Sequence, residues 1–159
     1  MSYLVWKLLH IASVVLFLGN ITTGLFWAGH AHRTRDFHLI ATTFEGIIRS
    51  DRLFTLPGVV GILVAGIAAA IDGHLPILGT GWILWSVILF VISGLAFGFR
   101  VAPLQRQIVR IAHTSDASEQ AWDSYTKVYK SWERWGLLAL ITPAAAVAIM
   151  VLKPQLPGL

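Results

Sequence analysis

Four uninterrupted apolar stretches, near residues 4–29, 54–72, 81–102 and 135–152, constrain this chain more than any other feature. Crossing a hydrocarbon core of about 30 Å takes about 20 helical residues, and each stretch is long enough. Inside a bilayer the backbone must satisfy its own polar groups, so each stretch is expected as a helix. The first is too long for a signal-peptide core and lacks a convincing small-residue cleavage site, so it is read as a retained span. Composition agrees: 56% of the 159 residues are hydrophobic and 13% charged, more apolar surface than a soluble domain of this size can hide. The expected fold class is all-α, a four-helix transmembrane bundle in one integral membrane domain over residues 1–159.

The connecting segments carry the orientation. The segment His30–Phe54 holds Arg33, Arg35, Arg49 and Arg52, and Arg100–Arg134 holds Arg100, Arg106, Arg110, Lys127, Lys130 and Arg134. The segment Asp72–Gly81 has no Lys or Arg. By the positive-inside rule the two basic segments are cytoplasmic, and both termini and the Asp72–Thr80 loop lie outside. In a bacterium this places the chain in the inner (plasma) membrane. The same rule accounts for the net charge of +4 without nucleic-acid binding, which is not expected. The absence of cysteine excludes disulfides, thiolate metal sites, iron–sulfur clusters and covalently attached c-type haem.

The basic segments have helical periodicity. Phe37, Ile40, Phe44, Ile47 and Ile48 put an amphipathic helix ahead of the second span, starting near Asp36. Trp122, Tyr125, Val128, Tyr129, Trp132 and Trp135 do so ahead of the fourth, with Asp116 and Glu119 as a capping pair and a start near Ser115–Ala117. Leu104, Ile108 and Ile111 prolong the third past Pro103. Helices 2, 3 and 4 are therefore expected to extend on the cytoplasmic side and pack there. Gly58, Gly61, Ala65 and Ala69 in the second span, Gly94 and Gly98 in the third, and Ala144, Ala145 and Ala148 in the fourth are small residues that let helices approach closely, within the bundle or in a dimer. Pro57 and Pro143 are expected kinks.

Chemistry points first to His10, the one histidine inside an apolar stretch. Lys7, His10, Phe17, Asn20 and Trp27 share a stripe of the first helix. An ionisable group at membrane depth is costly and turns toward the bundle interior or a cavity. About 10 Å below the outer end, from seven residues at about 1.5 Å each, His10 has two uses. It can ligate haem iron or a metal through a neutral ring nitrogen, or it can bond a neighbouring helix. Met150 in the fourth span is a candidate second axial ligand, with a core methionine as the plainer alternative. Otherwise the second position is open or filled by another subunit. Asp72 and His74 with Lys7 and His10 form a candidate outer metal site, for which copper suits histidine and methionine ligands. His30, His32 and His38 are dense enough to hold a metal in a loop. On a helix His30 and His32 point about 200° apart and could not share an ion. Glu45 is expected to pair with Arg49, the alternative being a basic vestibule with Arg100 and Arg106. No Ser/His/Asp set, Gly-rich phosphate loop or carboxylate pair within a span suggests nucleophilic or phosphoryl chemistry, and no catalytic residue is assigned.

The run from Tyr3 through Lys7-Leu-Leu-His10 to Gly19, the segment Asp51-Arg52-Leu-Phe-Thr-Leu-Pro57-Gly58 and the pair Gly81-Trp82 resemble an uncharacterised bacterial family of four-span integral membrane proteins, a domain of unknown function. That family is distantly similar to the copper-resistance D membrane domain and to HemJ-type protoporphyrinogen oxidases. The HemJ likeness implies b-type haem on His10. The copper likeness implies copper handling at the same residue, with His74 and Met150 compatible. The relatives' other polar residues have no clear match, and the third span has no histidine. The sequence reading is a haem-binding redox protein using His10. Its alternatives are a copper-handling membrane protein and an accessory subunit without cofactor in a larger complex. Partners are the lipid bilayer and either a second copy or a membrane complex.

Overall fold

The computed structural model describes residues 2–115 and 118–159. Its four helices are α1 (Tyr3–Thr34), α2 (Phe37–Asp72), α3 (Gly81–Thr114) and α4 (Glu119–Leu152), each long and apolar enough to cross a membrane. They are joined as an up-and-down bundle. One end carries the two basic segments and the other carries both chain ends; these are called the basic and terminal ends.

All four helices extend toward the basic end, including α1, where the sequence suggested a loop from His30. No Pro interrupts Ala28-Gly29-His30-Ala31-His32, and Ala28 and Ala31 are fully buried, so packing carries the helix through Gly29 on to Thr34. It ends at Arg35 in the left-handed region (φ 57°, ψ 21°). Asp36 then caps α2 by accepting from the backbone N–H of His38 at 2.8 Å and of Leu39 at 3.3 Å, the position the periodicity indicated. At the start of α4 the cap is Ser118, whose hydroxyl oxygen accepts from Ala121 N–H at 3.2 Å. The expected cap residue Asp116 lies outside the described residues.

Two helices are interrupted by five-residue π-turns, Asp51–Thr55 in α2 and Phe97–Val101 in α3. Each is followed after one residue by proline, Pro57 or Pro103. Proline lacks an N–H and its ring crowds the carbonyl four residues back. The wider π-turn makes room, and the residue before each proline bonds five residues back, Leu56 N–H to Asp51 O and Ala102 N–H to Phe97 O. In α4, Pro143 deprives the Ala139 carbonyl of its helical donor; the Ser93 hydroxyl of α3 donates to that carbonyl instead, at 2.6 Å.

The basic half holds the continuous core. Ile40 and Phe44 of α2, Ile108 of α3, and Tyr125 and Trp132 of α4 are buried together, with Phe44 and Trp132 edge to face at 4.8 Å. The terminal half is built differently. Gly58, Gly61 and Gly66 of α2 form a seam against Phe17, Ser13 and His10 of α1. Ser86 and Ser93 of α3 bond the Ala146 and Ala139 carbonyls of α4. These are two separate pairs. Among the described residues, no Cα of Leu56–Asp72 lies within 8 Å of one in Gly81–Ala96 or in α4, nor does any of α1 approach Gly81–Ala96 so closely. Side chains bridge the gap where the rings of Phe17 and Phe90 meet at 5.7 Å. Gly94 and Gly98 have open space at their Cβ positions, so their spacing serves no helix contact inside the chain. Past α4, Leu159 N–H donates to Leu78 O at 2.9 Å and Trp85 Nε1–H to Pro157 O at 3.3 Å, fastening the tail over the Asp72–Gly81 connection.

Candidate functional site

His10 sits where α1 crosses the glycine seam. Its Nδ1 lies 3.0 Å from the Ile62 carbonyl oxygen of α2. A carbonyl only accepts, so Nδ1 is the donor, and in the neutral ring this tautomer leaves the lone pair on Nε2. The ring occupies space that only a glycine leaves: a Cβ at Gly66 would stand 2.9 Å from Nδ1. Phe17, two turns along the same face of α1, touches both Gly58 and Phe90. That face therefore points to where α2 meets the gap between the pairs, and His10 is half-buried there.

The other sequence candidates are placed apart from it. Ser93–Ala139 and Ser86–Ala146 set the register of α3 against α4. Counting two turns from the Phe17–Phe90 level brings Met150 to the depth of His10, but in the other pair and one turn beyond Ala146, on the face turned to α3. His74 is exposed in the connection after α2, with φ 51°. No hydrogen bond joins His10 to either, and among the described residues no three His, Asp or Glu side chains cluster as a metal site. Because α1 continues as helix past His30, His30 packs edge-on against Trp27 while His32 turns inward. Glu45 bonds His113 of α3 at 2.6 Å rather than Arg49, and Arg100 lies over the Trp135 ring at 5.3 Å. A helix presents Glu45 to α3, which the i,i+4 rule within one helix does not anticipate.

His32 lies past the apolar stretch of α1. Its ring is stacked on Tyr129 at 4.0 Å and runs parallel to Trp122 at 5.4 Å, and its Nδ1 is 3.2 Å from the Tyr125 hydroxyl. Burial among these rings pulls its pKa below the ordinary histidine value of 6.5, against the pull of Glu133. Burial also pushes the Tyr129 hydroxyl up to about 12, with Glu133 adding to the effect.

A second polar centre was not singled out by the sequence reading. Asp51 opens the π-turn of α2 and is 8% exposed. Its Oδ1 accepts from Asn20 Nδ2–H of α1 at 3.0 Å and from the Thr55 hydroxyl at 2.9 Å. Its Oδ2 accepts from Gln105 Nε2–H of α3 at 2.9 Å. The sequence signal was an aspartate three residues ahead of an apolar stretch, spaced i,i+4 from Thr55, with Asn20 on the polar stripe of α1. The π-turn hid it, because a regular 3.6-residue period does not foresee which way Asp51 turns.

No curated protein and no solved structure matches the chain. The match that exists is at the level of the family, covers nearly every described element and agrees with four apolar helices: residues 4–154 fit the family described as "Predicted integral membrane protein (DUF2269)", and the chain belongs to it.

Proposed function

We propose that this integral membrane protein is a b-type haem-binding redox protein with His10 as axial ligand. The observation that carries the reading is the hydrogen bond from His10 Nδ1–H to the Ile62 carbonyl. A ligating histidine is held in this way, its second nitrogen donating to a backbone carbonyl that fixes tautomer and ring orientation. Phe17 and Phe90 meet between the helix pairs two turns from His10, and apolar rings of this kind would pack against a macrocycle. With no cysteine in the chain, the group would be held without covalent attachment. Bound haem would supply one-electron chemistry, while the chain's own part is to fix the ring of His10 and exclude water. A lone histidine also suits haem better than copper, which takes two or three protein ligands. In the distantly similar HemJ-type proteins the first-span histidine is associated with b-type haem, and His10 is the one residue that carries over.

The test is an oxidised and dithionite-reduced absorption spectrum of protein made with haem available and purified in mild detergent. A Soret band that His10→Ala abolishes is expected. Gly66→Ala keeps the ligand but pushes the ring off the Ile62 carbonyl, and should shift the band or weaken haem retention. A featureless spectrum from folded wild-type protein overturns the proposal. Metal analysis and co-purification of a fixed partner then decide between copper handling and an accessory role.

A further inference from the structure

We propose that Asp51 is a proton-binding site in the bundle core, cycling between its ionised and protonated forms through a single water held beside it. Asp51 touches a cavity of about 20 Å³ lined also by Asn20, Gln105 and Trp132. Holding one water takes about 10–15 Å³ and two or more polar partners. Trp132 carries a buried indole N–H with no hydrogen-bond partner in the protein, a donor that calls for an acceptor. The two π-turns meet at this cavity, Asp51 from one and Phe97 and Val101 from the other. Such turns recur at functional sites.

The surroundings favour a proton over a metal ion or a permanent ion pair. No Lys, Arg or His lies within ion-pair distance of Asp51 among the described residues. Every other group lining the cavity is uncharged: Asn20 and its neighbours from α1, Ile47 from α2, Gln105, Phe97 and Val101 from α3, and Trp132, Gly136 and Ala139 from α4. Arg49 and Arg52, next to Asp51 in sequence, are exposed. A carboxylate desolvated without a counter-charge is costly, and three neutral donors offset part of that cost. Oδ1 already accepts two hydrogen bonds and Oδ2 one. The second lone pair of Oδ2 is therefore the place for a proton, and the cavity water is the acceptor that the new O–H needs. The step balances simply: a hydronium in the cavity gives its proton to Oδ2 and remains as water. Asp51 lies three residues ahead of the second apolar stretch, on its basic-end side.

The test is a pH titration of the full chain in lipid nanodiscs, labelled with ¹³C-aspartate and read by infrared spectroscopy at the C=O stretch of a protonated carboxyl. The signal belongs to the protein with or without haem. A protonated-aspartate band that Asp51→Asn removes is expected. Gln105→Met, which deletes a donor to the ionised form, should move the band's midpoint to higher pH. If Asp51→Asn does not fold, the Gln105→Met shift decides alone. Overturning outcomes are the absence of a band that depends on Asp51 across the pH range where the protein stays folded, or, where Asp51→Asn does not fold, a band whose midpoint Gln105→Met leaves unmoved. Either result makes Asp51 a fixed structural anchor.

Discussion

His32 shows how one residue's surroundings set a condition for the whole protein. Stacked on Tyr129 and beside Trp122, it is held neutral, with its folded pKa below 6.5. The unfolded chain therefore takes up the proton first on acidification. The stabilisation is complete above pH 6.5 and is lost as pH falls through that value toward the folded pKa. Thermal unfolding in detergent at pH 7.5 and pH 5 should show a drop in midpoint on acidification that His32→Gln reduces; equal drops in both proteins would remove His32 as the cause. Residue-scale chemistry was unevenly legible. His10 stood out because a titratable group in an apolar run is conspicuous, and the structure gives it a partner, Ile62 O, that no side-chain pattern encodes. His32 was grouped with His30 and His38 on sequence density alone, and only the inward turn of α1 separates it from them.

Among elements, the prolines explain most of what is irregular. Pro57 and Pro103 are each accommodated by a π-turn, and Pro143 by a hydroxyl from another helix. Ser93→Ala leaves the Ala139 carbonyl without a donor at membrane depth, at a cost of about 1–2 kcal/mol. Reversible denaturation in mixed micelles measures it. The double variant Ser93→Ala/Pro143→Ala should recover much of the loss, because alanine at 143 restores the backbone donor; no recovery would separate the serine from the proline. Spans were readable as elements because twenty apolar residues leave few alternatives to a helix. An interruption of the helix near Pro57 was readable too. Its π-turn form was not, since proline states that the ladder is broken without stating how the neighbours close it. The same ambiguity concealed Asp51, whose orientation depends on the extra residue in the turn.

For the molecule as a whole, the two halves differ in what holds them. The basic half has large side chains from three helices interlocked, whereas the terminal half has two helix pairs joined by Phe17 and Phe90. Phe44→Ala removes a fully buried ring facing Trp132 and should cost about 3–5 kcal/mol. Truncating an exposed terminal-half residue such as Leu63 or Val91, which faces lipid, should cost far less. Comparable losses in the same denaturation series would show that the halves are equally cohesive. The up-and-down order and the helical extensions at the basic end followed from hydropathy and periodicity. The parting of the pairs did not, because small residues such as Gly94 and Gly98 look identical whether they meet a helix of the same chain or face outward. That parting has a mechanical consequence. A bundle interlocked at its basic end and, at the other, tied only by the Phe17–Phe90 contact, the Asp72–Gly81 connection and the tail over it behaves like a pair of tongs with a loose strap across its jaws, which lie within one leaflet. Their opening changes the area the protein occupies in that leaflet and little in the other. Lateral pressure from the acyl chains therefore acts directly on the jaw angle, and the width of the gap beside His10 becomes a function of the lipid around it.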